Sequence, residues 1–194
     1  RLVTFFSGAN ANNPGYIAYE DLSISNLTGT GGIRNRFDTG IELVVVHSIS
    51  LPPGEYGGDA IERFFRNELP ADEHPYFAEI HELQVSSHVL IKRDGSIVQF
   101  VPFDKRAWHA GVSRYQQRER CNDFSIGIEL EGTDTDSFEE NQYRSLAELI
   151  SSLRQAYPDI GDHITGHCDI APGRKTDPGF AFDWDRYRKL AGLC

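Results

Sequence analysis

Two histidines and one aspartate are the residues of this chain whose types best suit metal chemistry. His47 ends a run of β-branched residues, and His167 lies ten residues before Asp177 in a segment rich in glycine and proline. Side chains at strand ends and in such loops can converge on one edge of a sheet. Two neutral imidazoles and one carboxylate suit tetrahedral Zn²⁺ and leave its fourth position for water. The spacing alone favours surface or structural histidines, so the three ligands are a hypothesis at this point.

Two further charged residues accompany these three. Residues 165–179 place Lys175 two positions before Asp177, between two Pro-Gly turns. Residues 124–130 alternate, so that Phe124, Ile126, Ile128 and Leu130 share one predicted face and Glu129 lies on the other. Glu129 could also pair with Glu131 on a solvated surface, and Lys175 could be an ordinary surface lysine.

Strands and a hairpin must position these side chains. Residues 41–47 form a nearly continuous run of apolar, mostly β-branched side chains. Such a run predicts a central strand that is covered on both faces. The runs 85–92 and 96–101 flank Asp94-Gly95, which predicts a β-hairpin. Residues 59–69 place Ile61, Phe64 and Phe65 on one face of a helix.

Helix signals complete the predicted architecture. Ser137 and Glu140 form a capping-box pattern ahead of a helix that Pro158 ends, and Asp183 can cap a last helix. Strands interleaved with helices predict a single α/β (α+β) domain with a central mixed sheet and helices packed on it. We expect this domain over residues 41–194 and an irregular N-terminal arm packed on it over residues 1–40.

Five segments of the chain together resemble one enzyme family. They are residues 44–58, 74–77, 100–111, 120–134 and 165–179. They resemble the zinc amidases that cleave N-acetylmuramoyl-L-alanine bonds, whose fold is shared with phage T7 lysozyme and animal peptidoglycan recognition proteins. Within this family the resemblance is to the AmpD-type amidases of Gram-negative cell-wall recycling.

The resemblance implies a role for each candidate residue. It implies Zn²⁺ ligands at His47, His167 and Asp177, a catalytic acid–base at Glu129 and an oxyanion-stabilising lysine at Lys175. It also implies substrate contacts at Tyr76, Trp108, His109 and Arg120, although Trp108 could equally serve packing alone. Ser48 and Gln84 stand where AmpD-type amidases usually have Asn and Arg, so the details of substrate recognition are outside what the resemblance implies.

The implied reaction is zinc-dependent hydrolysis of the amide between the lactyl group of (1,6-anhydro-)N-acetylmuramic acid and L-alanine of a muropeptide. A recognition module on the same fold that binds muropeptide without cleaving it is the alternative. A metal-free amidase using Cys168 and His163 is a third possibility, for which the sequence offers no supporting geometry. A complete set of ligands and catalytic residues favours the zinc enzyme.

Composition excludes several other classes of function. With 19 Lys+Arg, 29 Asp+Glu and a formal charge of −10, the chain has no electrostatic attraction to nucleic acid or anionic membrane. Its 39% apolar residues are enough to fill one core. Three cysteines are too few for a disulfide framework and favour a reducing compartment. With the resemblance to bacterial recycling amidases, this predicts a cytoplasmic location, with export left open because the native N-terminus is not shown. We also expect a monomer.

Overall fold

A computed structural model of the protein describes residues 40–193 together with the backbone of Tyr16–Ala18 and Arg34–Asn35. The arm predicted over residues 1–40 therefore lies for the most part outside the described residues. Both described stretches of it are short strands.

The strands and helices that the sequence predicts follow one another in the predicted order, and further short strands and helices accompany them among the described residues. The strands are β1 (Tyr16–Ala18), β2 (Arg34–Asn35), β3 (Leu43–Ile49), β4 (Val89–Ile91), β5 (Ile97–Gln99), β6 (Lys105–Arg106), β7 (Arg114–Tyr115), β8 (Arg118–Glu119), β9 (Ser125–Glu131) and β10 (Ile164–Gly166). The helices are α1 (Ala60–Phe65), α2 (Pro75–Ile80), α3 (Glu140–Ala156), α4 (His167–Ile170) and α5 (Trp184–Leu190), with short 3-10 helices at Cys121–Asp123 and Pro158–Ile160.

Six strands form one mixed sheet in the order β1-β5-β4-β9-β3-β10. The hairpin strands β4 and β5 pair antiparallel, as Asp94-Gly95 predicts, and the other pairs in this sheet are parallel. The small ladders β2-β6 and β7-β8 lie outside it. The prediction of a mixed sheet with packed helices is confirmed.

The core lies mainly between one face of the sheet and helices α3 and α5. Residues 43–46 of β3 are fully buried, as a strand covered on both faces requires. Helix α3 contributes the apolar face that its sequence predicts, namely Leu146, Leu149, Ile150 and Leu153. Helix α1 packs Ile61, Phe64 and Phe65 into a second cluster. Among the described residues, no helix has the length and apolar character needed to cross a bilayer.

Two local predictions need correction. Helix α3 begins after Glu139, whose backbone N–H donates to Gln142 Oε1 at 3.0 Å, so Ser137 does not cap it. Phe124 does not share the core of Ile126 and Ile128 but packs with Leu43 and Val45 in a third cluster. The reason is that Phe124 precedes β9 with ψ of 7°, so the strand alternation starts only at Ser125.

Candidate metal centre and active site

Three neighbouring parallel strands bring the candidate residues to one edge of the sheet. His47 lies opposite Glu129 in the register of β3 and β9, and Gly166 of β10 lies opposite Val46. His167 follows Gly166 directly and so starts α4 beside His47. The carboxyl ends of parallel strands meet at one edge, which is where α/β sheets usually place their sites.

Three side-chain atoms form a small triangle at this edge. His47 Nδ1 lies 3.0 Å from His167 Nδ1 and 3.0 Å from Asp177 Oδ2, and the third edge, His167 Nδ1 to Asp177 Oδ2, is 3.1 Å. A single hydrogen can bridge only one edge, whereas a cation at the centre engages all three atoms. Zn²⁺ bonds of about 2.0–2.1 Å in tetrahedral geometry set ligand atoms roughly 3.3 Å apart, so the triangle fits this ion.

The surroundings of His47 and Asp177 favour the charge states that bind a cation. Burial lowers the pKa of His47 to about 4, an effect that the neighbouring Asp177 carboxylate only partly offsets, so the imidazole is neutral. Burial opposes ionisation of Asp177, but its contacts with His167 and His47 outweigh burial and hold the pKa of its carboxyl below the ordinary value. A neutral imidazole and an ionised carboxylate are both donors of a catalytic zinc site.

Each histidine also uses its other ring nitrogen. His167 Nε2 lies 3.2 Å from the Ala110 carbonyl oxygen, to which it can donate. His47 Nε2 lies 2.9 Å from His109 Nδ1. Such outer contacts orient ligand histidines and fix which nitrogen faces the metal.

Glu129 is buried beside this triangle and leaves the apolar core, as its place in the strand predicts. Its side chain is 7% exposed and lines the same cavity as His47 and Asp177. Burial and the charge of Asp177 raise its pKa well above the ordinary value, while Lys175 acts in the opposite direction. A raised pKa makes a carboxyl a stronger base than an ordinary one, which favours the uptake of a proton from a reacting group.

Glu131 has a different role from Glu129, so the two do not form a solvated pair. Its carboxylate accepts hydrogen bonds from the backbone N–H groups of Gly57, at 2.6 Å, and Arg93, at 3.0 Å. It thus holds two loops together.

A loop after α4 carries Lys175 and Asp177 to the site. The backbone N–H of Cys168 donates to the Asp177 carbonyl at 2.9 Å, and that of Lys175 donates to Ala171 at 3.1 Å. Burial, with Asp169 and Asp177 nearby, raises the pKa of Cys168, which disfavours the thiolate that a nucleophile would need.

A cavity of about 450 Å³ opens in front of these residues. The polar lining includes His47, Glu129, His167, Lys175 and Asp177. The apolar part of the wall includes Ile49, Leu51, Pro53, Phe64, Phe65, Ile80, Leu83 and Val85. Such a cavity suits an amphiphilic ligand of the size of a substituted sugar.

Three comparisons place the chain among known proteins. Residues 37–180 match the family described as N-acetylmuramoyl-L-alanine amidase. The chain is 65% identical over 148 residues to the 1,6-anhydro-N-acetylmuramyl-L-alanine amidase AmpD of Escherichia coli K12, covering 76% of this chain and 81% of that relative. The chain belongs to the N-acetylmuramoyl-L-alanine amidase family. The prediction of an AmpD-type amidase is confirmed.

Solved structures agree with this assignment to the amidase family. A crystal structure of a selenomethionine AmpD derivative matches with a TM-score of 0.77 and 61% identity, over 79% of this chain and 86% of that one. The Escherichia coli amidase AmiD, in a complex with the substrate anhydro-N-acetylmuramic acid-L-Ala-D-γ-Glu-L-Lys, matches with a TM-score of 0.57 and 30% identity, over 77% and 57%.

Three of the four residues expected to contact substrate in this amidase line the cavity, and the fourth does not. Tyr76, Trp108 and His109 line the cavity, whereas Arg120 is not among its lining residues. The Arg120 side chain is 67% exposed, with Nε 3.1 Å from Asp123 Oδ2. The Trp108 ring also packs, because the Arg106 guanidinium lies over it at 3.6 Å.

Residues behind the candidate ligands of this amidase were not among those predicted from the sequence. Asn122 Oδ1 accepts hydrogen bonds from the backbone N–H groups of His109, at 3.1 Å, and Ala110, at 2.8 Å. The same two residues face the outer nitrogens of His47 and His167. No local pattern in the sequence marks Asn122 or Ala110 for this role.

Proposed function

We propose that this amidase hydrolyses the amide between the lactyl group of 1,6-anhydro-N-acetylmuramic acid and L-alanine of the stem peptide, in a zinc-dependent reaction that serves peptidoglycan recycling. The observation that carries the proposal is the triangle of His47, His167 and Asp177 with a buried Glu129 beside it.

Relatives support the choice of substrate. The AmpD enzymes of Escherichia coli and Salmonella typhimurium, at 65% and 64% identity, carry 1,6-anhydro-N-acetylmuramyl-L-alanine in their names. AmiD has been solved with an anhydro-N-acetylmuramic acid peptide as substrate. The cavity here combines an apolar wall with a polar end, as a sugar joined to a peptide requires.

His47, His167 and Asp177 would hold the metal. A Zn²⁺ ion held by these three residues would supply Lewis-acid chemistry for hydrolysis of the amide. Glu129, deprotonated, takes a proton from the attacking water and then donates it to the amine nitrogen of L-alanine as the C–N bond breaks. Its raised pKa suits both steps.

Lys175 lines the same cavity and is exposed to it. Its ammonium would stabilise the negative charge that develops on the carbonyl oxygen in the transition state. Tyr76, Trp108 and His109 would border the bound muropeptide, and Arg120 would engage a peptide carboxylate beyond the cavity. A cytoplasmic location, which the few cysteines favour, and a monomeric state both stay predictions.

One experiment tests the class and the reaction together. Purified protein is expected to hold one equivalent of zinc and to release an L-alanine-terminated peptide from an anhydromuramoyl-peptide. Chelation should abolish both, and added zinc should restore both. Binding of the muropeptide without release of peptide by the zinc-loaded protein would instead indicate a recognition module.

A further inference from the structure

A row of hydrogen bonds runs from the ligand His47 to a backbone carbonyl. His47 Nε2 lies 2.9 Å from His109 Nδ1, and His109 Nε2 lies 3.2 Å from Ser125 Oγ. Ser125 Oγ in turn lies 2.6 Å from the carbonyl oxygen of Cys121. Three side chains therefore connect the metal site to the main chain.

The carbonyl end sets the direction of every hydrogen in this row. The Cys121 carbonyl has no hydrogen, so the contact of 2.6 Å requires Ser125 to donate its hydroxyl hydrogen. Ser125 can then only accept from His109, which must carry its hydrogen on Nε2. A neutral His109 consequently presents an unprotonated Nδ1.

The last step reaches the metal ligand. His109 Nδ1 can only accept, so His47 donates from Nε2 across the 2.9 Å contact. A neutral imidazole that carries its hydrogen on Nε2 has a lone pair on Nδ1. Nδ1 is the atom that His47 directs at His167 and Asp177.

The fold makes room for the His109 ring and fixes its backbone. A Cβ atom on Gly127 would lie 2.4 Å from His109 Cγ, so a larger residue at this place in β9 would displace the ring. Asn122, itself 2% exposed, holds the backbone N–H of His109 through its side-chain oxygen. Ser125, Gly127 and Glu129 lie on the same face of β9 because they alternate.

We propose that His109 is a positioning residue that holds His47 in the tautomer able to bind the metal through Nδ1, with Ser125 as its anchor. The proposal rests on the metal site described under the proposed function. It assigns His109 a role in addition to the substrate contact that its place in the cavity wall allows.

Zinc affinity is the first readout, and the variants separate the hydrogen bond from the ring. His109→Phe keeps an aromatic ring but removes the acceptor, and we expect zinc affinity to fall by about 10- to 100-fold. His109→Asn places an amide oxygen where Nδ1 stands, so it should recover part of that loss. Ser125→Ala should give a smaller loss in the same direction. His163→Ala, at an exposed histidine that contacts Tyr115, is the matched control and should bind zinc like the wild type.

Histidine tautomers provide a readout that does not depend on metal. Nitrogen-15 correlation spectra of zinc-free protein should show His109 with its hydrogen on Nε2. They should also show a smaller fraction of His47 with its hydrogen on Nε2 in His109→Phe than in the wild type. A folded wild type that takes up no zinc would contradict the metal site while leaving this readout intact.

Two results would overturn the role of His109. One is a His109 ring that carries its hydrogen on Nδ1 in zinc-free wild type. The other is equal loss of zinc affinity in His109→Asn and His109→Phe with an unchanged His47 tautomer, which would indicate packing by the ring alone. If His109→Phe does not fold, Ser125→Ala decides, because it leaves the ring in place.

Discussion

Glu129 lies directly opposite His47 in the parallel register of β9 and β3. Residues that are paired in this way project from the same face of the sheet, here the face turned away from α3 and α5. The strand pairing therefore sets the proposed acid–base next to a proposed metal ligand. A shift of one residue in the register would move one of them to the core side.

Loss of one ligand should remove the metal. We expect His167→Ala to lower zinc content well below one equivalent and to abolish turnover, because two remaining ligands hold Zn²⁺ poorly. Metal analysis of purified protein gives the answer, with His163→Ala as a control. Full zinc occupancy together with activity in His167→Ala would contradict the assignment.

Glu129→Gln should separate metal binding from catalysis. The amide keeps the shape of the side chain but cannot accept the proton, so we expect normal zinc content and a rate lower by about 10²- to 10⁴-fold. Peptide release from an anhydromuramoyl-peptide measures the rate. A near-normal rate would remove Glu129 from proton transfer.

The raised pKa of Glu129 also predicts how stability depends on pH in zinc-free protein. The folded state binds this proton more tightly than the unfolded state does, so the free energy of unfolding should fall as pH rises from about 4.5 through the raised pKa. Glu129→Gln removes this loss and should melt at a higher temperature than the wild type at pH 8. The difference should shrink toward pH 4. Thermal melts in chelator measure it, and a wild type that is the more stable at pH 8 would refute the burial argument.

Lys175 has two possible roles that kinetics can distinguish. If its ammonium stabilises the oxyanion, Lys175→Ala should lower kcat by about 10²- to 10³-fold with little change in KM. If it holds a substrate carboxylate, KM should rise while kcat stays. Lys175→Arg keeps the charge but changes its shape, so it should recover little if position matters. Wild-type kcat in Lys175→Ala would exclude the lysine from the reaction.

Gly127→Ala tests the space that β9 leaves for the His109 ring. The new Cβ would collide with the ring, so we expect zinc affinity to fall, as in His109→Phe. In a His109→Ala background the space is open, and the same substitution should have little further effect. Zinc titration of the four proteins in this double-mutant cycle measures the coupling. Equal effects of Gly127→Ala in both backgrounds would show that the cost is unrelated to His109.

Local sequence patterns predicted the elements that depend on local rules. The turn at Asp94-Gly95 and the cap at Asp183, whose Oδ1 accepts from Arg186 N at 2.9 Å, are found as expected. The prediction that Ser137 caps helix α3 was wrong. The helix begins after Glu139, and the backbone N–H of Glu139 donates to the side chain of Gln142. Several residues in this segment could begin the helix, and local sequence does not fix a helix boundary to within one or two residues.

Local sequence patterns could not predict contacts between segments that are distant along the chain. No spacing along the chain shows that Ala110 and His109 face two histidines 57 and 62 residues away. These contacts arise when the loop before β9 folds back over the end of the sheet. The roles of the ligands, Glu129 and Lys175 came from the family resemblance, and the structure places them around one cavity.

The Asn122 amide has a consequence for motion. Its one oxygen binds two consecutive backbone N–H groups, and the residues that carry them face the outer nitrogens of both candidate ligand histidines. A displacement of this loop would therefore carry both imidazoles in the same direction instead of spreading them apart. Thermal fluctuation at this end of the sheet would then shift the proposed metal centre as a unit and leave the spacing between its two nitrogen ligands nearly constant.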